Sequence, residues 1–116
     1  MCHVLIIEDE ALVALHLELM LAESGATSFA FAQSEDEAIA AARLRTPDLI
    51  TSDVRLRQGT GPGAVAVILR ELGQLPVIFV TATPEECVLC APPYRVFSKP
   101  IHEPSFLAAF RQMAPS

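Results

Sequence analysis

The sequence predicts an open parallel α/β sheet covered by helices on both faces. Three observations predict it. Short apolar runs and helix-length segments alternate five times along 116 residues. The runs Val4-Leu5-Ile6-Ile7, Leu49-Ile50-Thr51-Ser52, Pro76-Val77-Ile78-Phe79-Val80 and Val96-Phe97-Ser98 each have the length of a buried strand. Each also delivers polar residues at its C-terminal end: Glu8-Asp9, Asp53, Thr81-Ala82 and Lys99-Pro100, respectively. In such sheets ligands bind outside the carboxyl ends of the strands.

The first strand is expected over His3–Ile7, and the first helix from about Glu10 to Ser24, stopped by Gly25. The second strand is Ser28–Ala32. The second helix starts at Ser34, where Ser34-Glu35-Asp36-Glu37 reads as a capping box, and it ends before Thr46-Pro47. The third strand is Leu49–Ser52. Gln58-Gly59-Thr60-Gly61-Pro62-Gly63 reads as a flexible loop that lets the backbone turn beside Asp53, because it lacks the Lys-Ser/Thr ending of a P-loop. The third helix follows over about Ala64–Leu72, then a fourth strand over Pro76–Val80. Only 17 residues lie between Thr81 and Lys99, and they include Pro84, Pro92 and Pro93. Proline is not tolerated inside a helix, so a short helix or loop is expected there. The last helix is Pro104–Met113, with Phe106, Phe110 and Met113 on one core-facing stripe.

Size and composition bound the function. A chain of this length has room for one domain, residues 1–116, and 52% hydrophobic residues favour a folded core over disorder. The net charge is −6 and the eight basic residues are scattered, which argues against direct nucleic-acid binding. No uncharged stretch reaches the roughly 18–20 residues of a membrane span, and Glu8, Asp9 and Glu10 interrupt any signal-peptide core. A cytoplasmic location and no membrane association are expected. No linker or effector domain is expected either.

The motifs Glu8-Asp9, Asp53, Thr81-Ala82 and Lys99-Pro100, in this order and on successive strand ends, resemble the receiver domain of two-component response regulators over nearly the whole chain. Phe79-Val80-Thr81-Ala82-Thr83-Pro84-Glu85, with the Pro-rich gap and Phe97-Ser98-Lys99-Pro100 after it, is similar to the receiver half of bacterial general-stress-response regulators. The resemblance implies a flavodoxin-like fold with strand order 2-1-3-4-5; the shortened fourth helix expected from the prolines departs from most receivers, which carry a full helix there. It implies that Asp53 accepts a phosphoryl group from phosphohistidine on a sensor histidine kinase or a histidine phosphotransfer protein, and that the signal passes on by conformational change or phosphotransfer. It also implies that Asp9, Asp53 and the backbone carbonyl of Arg55 ligate Mg²⁺ while Glu8 holds a metal-bound water. Lys99 would pair with a phosphoryl oxygen, aimed by a cis bond to Pro100. Thr81 would be the switch hydroxyl, with Ala82 leaving room for the phosphoryl group. Receivers usually carry an aromatic three residues before the lysine; Val96 stands there.

The chemistry of the residues agrees. A carboxylate can attack phosphorus to give an acyl phosphate, and positioning and charge neutralisation carry such a reaction. Two like charges 4 Å apart at an effective dielectric of 20 repel by about 4 kcal/mol, so clustered carboxylates call for a hard divalent cation. Arg55 and Thr83 line the same mouth and are candidates to tune phosphoryl lifetime, or else are solvated loop residues. Asp9 has a second reading as a cap of the first helix.

Other features carry less. Cys87 and Cys90 form a C-x-x-C, but on a Pro-flanked segment after the fourth strand, and Cys2 and His3 lie at the opposite sheet edge, unable to complete a zinc site. His16 reads as a half-buried helix residue, and His102 borders the site without a catalytic role. On the first helix Val13, Leu17, Met20 and Leu21 should face the sheet, which leaves Leu12, Leu15, Leu19 and Ala22 as an outward apolar stripe. In receivers this helix docks the helical bundle carrying the phosphorylated histidine, so Leu15 and Leu19 are candidate docking residues.

The expected function is therefore a phosphoacceptor and signal relay, a monomer or a phosphorylation-dependent dimer with an unspecified downstream protein target, and not an enzyme acting on external substrates. A receiver-like adaptor that works without phosphorylation is the alternative. An Mg²⁺-dependent aspartyl phosphatase is disfavoured, because Asp53 is followed by Val54-Arg55-Leu56-Arg57 and not by a D-x-D-x-T signature.

Overall fold

Five parallel strands order as 2-1-3-4-5 in the computed structural model, which describes residues 1–86 and 94–115. The elements are β1 (His3–Ile7), α1 (Ala11–Glu23), β2 (Ser28–Ala32), α2 (Glu35–Leu44), β3 (Leu49–Ser52), α3 (Gly61–Leu72), β4 (Val77–Thr81), β5 (Arg95–Ser98) and α4 (Glu103–Met113). A single 3₁₀ turn, Pro84–Glu86, follows β4. Cys87, Cys90 and most of the segment expected as a shortened fourth helix lie outside the described residues.

Strand periodicity builds two cores. Val4, Ile6, Leu49, Ile78 and Val80 meet Leu17, Met20 and Leu21 of α1 and Phe106, Ala109 and Phe110 of α4. On the other face, Leu5, Ile7, Ile50, Val77 and Phe79 meet Ala38 and Ala42 of α2 and Ala64, Val65 and Ile68 of α3. Successive residues of a strand point to opposite faces, so a strand buried on both sides must be apolar throughout. Met113, expected in the core stripe of the last helix, is half-buried.

Several expected boundaries shift. α3 begins at Gly61, three residues earlier than the sequence suggests: Thr60 caps it by accepting the Gly63 N–H at 3.0 Å, and Pro62 falls in the first turn, where a missing N–H costs nothing. β4 runs one residue later than expected and takes in Thr81. Ser34 caps α2 by accepting the Glu37 N–H at 3.2 Å, but the Glu37 carboxylate reaches the N–H of Gln33 rather than that of Ser34. Among the described residues no side chain caps α1: Glu10 occupies the cap position, so Asp9 is not its cap. His16 is exposed, its Nε2 3.9 Å from Glu103. No helix among the described residues is long and apolar enough to cross a membrane.

Candidate functional site

Parallel register gathers the strand ends. Ile7 pairs with Ser52 and Thr81 with Ser98, so the residues that follow, Glu8, Asp53 and Lys99, emerge at one edge. The ladder continues past the strands and fixes their backbones: Asp53 N–H donates to the Ile7 carbonyl at 2.9 Å, and Lys99 N–H to the Thr81 carbonyl at 2.9 Å. The Lys99–Pro100 peptide is cis. Gly61 adds a constraint from α3, because a Cβ there would collide with the Asp53 carbonyl and the Ser52 hydroxyl.

Asp53 is buried and both its carboxylate oxygens are engaged. Oδ1 accepts the Val54 N–H at 2.7 Å, and Oδ2 accepts Lys99 Nζ at 2.9 Å. The same ammonium donates to Glu8 Oε1 at 3.0 Å, while Glu8 Oε2 accepts the Glu10 N–H at 3.1 Å. Glu8 is only 3% exposed, and burial pushes its carboxyl up to about 7 against the opposing pull of Lys99. Burial works against the Lys99 ammonium as well, but its bonds to Asp53 and Glu8 outweigh this and raise its pKa.

Glu8, Asp9, Glu10 and Asp53 each offer an oxygen, and these oxygens lie within 4.8 Å of one another. One ammonium faces this set, with Glu10 at 4.0 Å as its most distant partner. An all-oxygen donor cluster of excess negative charge fits a hard divalent cation. Sequence reasoning places Glu8, Asp9 and Asp53 here and misses Glu10. The available signal is the unbroken acid run Glu8-Asp9-Glu10; what turns Glu10 toward the cluster is its N–H bond back to Glu8, a local fold that no pattern announces.

The remaining predicted residues fall around this edge. Thr81 is buried at the end of β4; its Oγ1 accepts the Thr83 N–H at 3.1 Å and lies 3.3 Å from the Thr83 hydroxyl. Ala82 is exposed and Thr83 half-buried. Arg55 is exposed and forms an antiparallel bridge with Thr60, closing the loop that leaves Asp53. Val96 is half-buried, and Tyr94 packs edge-on against Phe79 with ring centroids 6.0 Å apart. His102 is exposed and pairs with Ser105. The α1 stripe is open: Leu12, Leu15 and Leu19 are 81%, 49% and 57% exposed, and Phe31 of β2 is 48% exposed. Leu15 and Phe31 border a cleft of about 280 Å³ that Glu8 also lines.

A flavodoxin-like sheet that collects its acids at one carboxyl edge has the architecture of a signalling receiver. Residues 4–111 match the model of the response regulator receiver domain, and the chain belongs to that family. It is 36% identical over 108 residues to the phyllosphere-induced regulator PhyR of Methylorubrum extorquens, covering 91% of this chain and 37% of that protein. The solution structure of the PhyR receiver domain of Erythrobacter litoralis superposes with a TM-score of 0.87 at 30% identity, covering 99% of this chain and 95% of that one. A PhyR mutant from Bartonella quintana, described as an anti-anti-sigma factor, gives a TM-score of 0.81 at 32% identity, with 97% of this chain and 48% of that one covered. The chain thus spans little more than a third of the curated relative it matches and about half of the Bartonella protein.

Proposed function

We propose that this chain is a cytoplasmic phosphoacceptor that takes a phosphoryl group from phosphohistidine, on a sensor histidine kinase or a histidine phosphotransfer protein, onto Asp53. The observation that carries the proposal is the Asp53–Lys99–Glu8 bridge set inside the acid cluster. A carboxylate oxygen of Asp53 forms the new O–P bond; the P–N bond of the donor breaks, and the imidazole leaves with its electron pair. Lys99, already against Asp53, transfers to a phosphoryl oxygen. Asp9, Asp53 and the Arg55 carbonyl, with Glu8 and Glu10 beside them, would hold Mg²⁺, which supplies charge neutralisation for the transferring group. Thr81 donates its hydroxyl to another phosphoryl oxygen, with Ala82 leaving access. The open stripe around Leu15 and Leu19 docks the phosphodonor, and the Bartonella relative, an anti-anti-sigma factor, suggests a downstream protein partner. Residues 1–116 act as one receiver unit.

Incubation with acetyl phosphate and Mg²⁺, followed by mass spectrometry, tests this. One phosphoryl group per chain is expected, lost in Asp53→Asn with the fold intact. Equal labelling of the Asn variant would overturn the assignment; no labelling of either favours the phosphorylation-independent adaptor.

A further inference from the structure

We propose that Glu35, the first residue of α2, is a positioning residue for this site: it clamps the loop that leaves Asp53 and so sets the backbone at Arg55. The proposal rests on the phosphoacceptor reading only in the use made of Arg55; the clamp itself is geometric.

Acidic residues in the first turn of a helix ordinarily serve their own helix. Asp36 and Glu37 lie in the same first turn, and the Glu37 carboxylate accepts the nearby Gln33 N–H. Glu35 reaches another element. Its Oε1 accepts the Thr60 N–H at 3.0 Å, and its own N–H donates to the Gln58 carbonyl at 3.1 Å. Side chain and backbone thus grip one short loop at two points. Thr60 is also the residue bridged to Arg55 and the cap of α3, so holding it holds both.

Two glycines make the seat. A Cβ on Gly63 would stand 2.6 Å from Glu35 Oε1, and one on Gly59 would stand 2.5 Å from the Glu35 Cβ. Gly59 further needs its φ of +76°, which side-chain-bearing residues rarely adopt. At its far end the loop is wedged by Gly61 against the Asp53 carbonyl. The segment is therefore fixed to the nucleophile at one anchor and to α2 at the other. A carboxylate placed at the N-terminus of α3 is also favoured by the helix dipole.

Hydrogen exchange of amides 55–60 and Mg²⁺ titration of the full chain test the proposal. In Glu35→Ala these amides should exchange about tenfold faster, the loss of roughly 1.4 kcal/mol of local protection, while sheet amides are unchanged and Mg²⁺ binds several-fold more weakly. Glu35→Gln keeps an oxygen for the Thr60 N–H and should stay near the unsubstituted chain. Gly63→Ala improves helix propensity yet fills the space of the carboxylate, so it should loosen the loop as Glu35→Ala does. The double variant should then be no looser than Glu35→Ala alone; a looser one means Gly63→Ala acts through the Thr60 cap and counts against the seat. Unchanged exchange in Glu35→Ala, or a Gln variant as loose as the Ala variant, overturns the clamp. Unchanged Mg²⁺ affinity in Glu35→Ala, with Asp9→Ala abolishing binding, overturns the positioning role and leaves the phosphoacceptor reading standing. No Mg²⁺ binding by the unsubstituted chain overturns both.

Discussion

The Thr81 hydroxyl accepts the backbone N–H of Thr83 at 3.1 Å and lies 3.3 Å from the Thr83 hydroxyl, so the side chain at the end of β4 is already engaged. Where Thr81 is the donor of that hydroxyl pair, an oxygen of the phosphoryl group proposed for Asp53 has to draw the Thr81 proton away from Thr83. A neutral hydrogen bond of this kind contributes about 0.5–1.5 kcal/mol net. Thr83→Val removes the competing hydroxyl and keeps the N–H. Beryllofluoride, a phosphoryl mimic, should therefore bind Thr83→Val about two- to tenfold more tightly and Thr81→Ala more weakly, as measured by titration. Equal affinity in Thr83→Val would mean the Thr81 proton is not held by its neighbour.

The apolar stripe of α1 yields a prediction that separates docking from chemistry. Leu15→Lys and Leu19→Lys place charge on surfaces that are already open, so stability should change by no more than about 0.5 kcal/mol. Labelling by acetyl phosphate, which needs no docking, should be unaffected. Transfer from a phosphohistidine protein should fall about tenfold, the effect of losing roughly 1.4 kcal/mol of interface energy. Parallel loss of both activities would refer the effect to the fold instead.

Thr51 is fully buried in β3, and its Oγ1 has no hydrogen-bond partner among the described residues. Burying an unsatisfied hydroxyl costs about 1–3 kcal/mol, and Val has nearly the same shape. Thr51→Val should raise the urea midpoint by an amount equivalent to about 1 kcal/mol, with no change in m-value. A lower midpoint would show that the hydroxyl is satisfied in solution.

His3 supplies a pH dependence far from the acid cluster. The ring is buried, Nδ1 pairs with Ser28 Oγ at 2.7 Å, and Nε2 has no partner among the described residues. Burial lowers its pKa below the ordinary 6.5; Arg45 adds to the effect and Asp48 opposes it. The folded state therefore resists a proton that the unfolded chain accepts. Its cost is absent above pH 6.5 and grows as pH falls below that value, because the unfolded state then binds more protons. Through His3 the fold loses stability between about pH 6.5 and 5, against the opposite contribution of Glu8, whose raised pKa favours the folded state as pH falls; His3→Phe should therefore gain melting temperature relative to the unsubstituted chain across that range. An unchanged slope in the variant would assign the acid limb to other groups.

Much of this molecule is legible in its sequence, for identifiable reasons. Short, mostly apolar runs mark the parallel strands, so β1, β2 and β3 fall on their expected residues although β2, at the sheet edge, is only partly buried, and the polar residues after β1, β3 and β5 mark the edge of the candidate site. The start of α3 is hidden because Gly61-Pro62-Gly63 has loop composition, whereas Gly61 is demanded by its contact with the Asp53 backbone and Pro62 suits a first turn. The capping box is half legible: Ser34 caps as expected, but the partner of Glu37 is chosen by how the chain enters the helix. Glu10, Glu35 and the Thr81–Thr83 contact stay hidden, since each depends on where a backbone turns and not on residue type or period.

The two helical layers are fastened differently. α2 and α3 are tied at one end by Glu35 and Thr60 and at the other by a bidentate bridge from Arg43 to Glu71, with Nε 2.8 Å from Oε1. Between α1 and α4 the polar approaches among the described residues are looser, His16 to Glu103 at 3.9 Å and Arg111 to Ser24, just past α1, at 3.5 Å. The α2–α3 layer is thus tied at both ends, and one of those ties holds the loop that leaves Asp53. On the α1–α4 side the open stripe Leu12, Leu15 and Leu19 lies away from those ties, so its side chains can change without touching the loop that leaves Asp53.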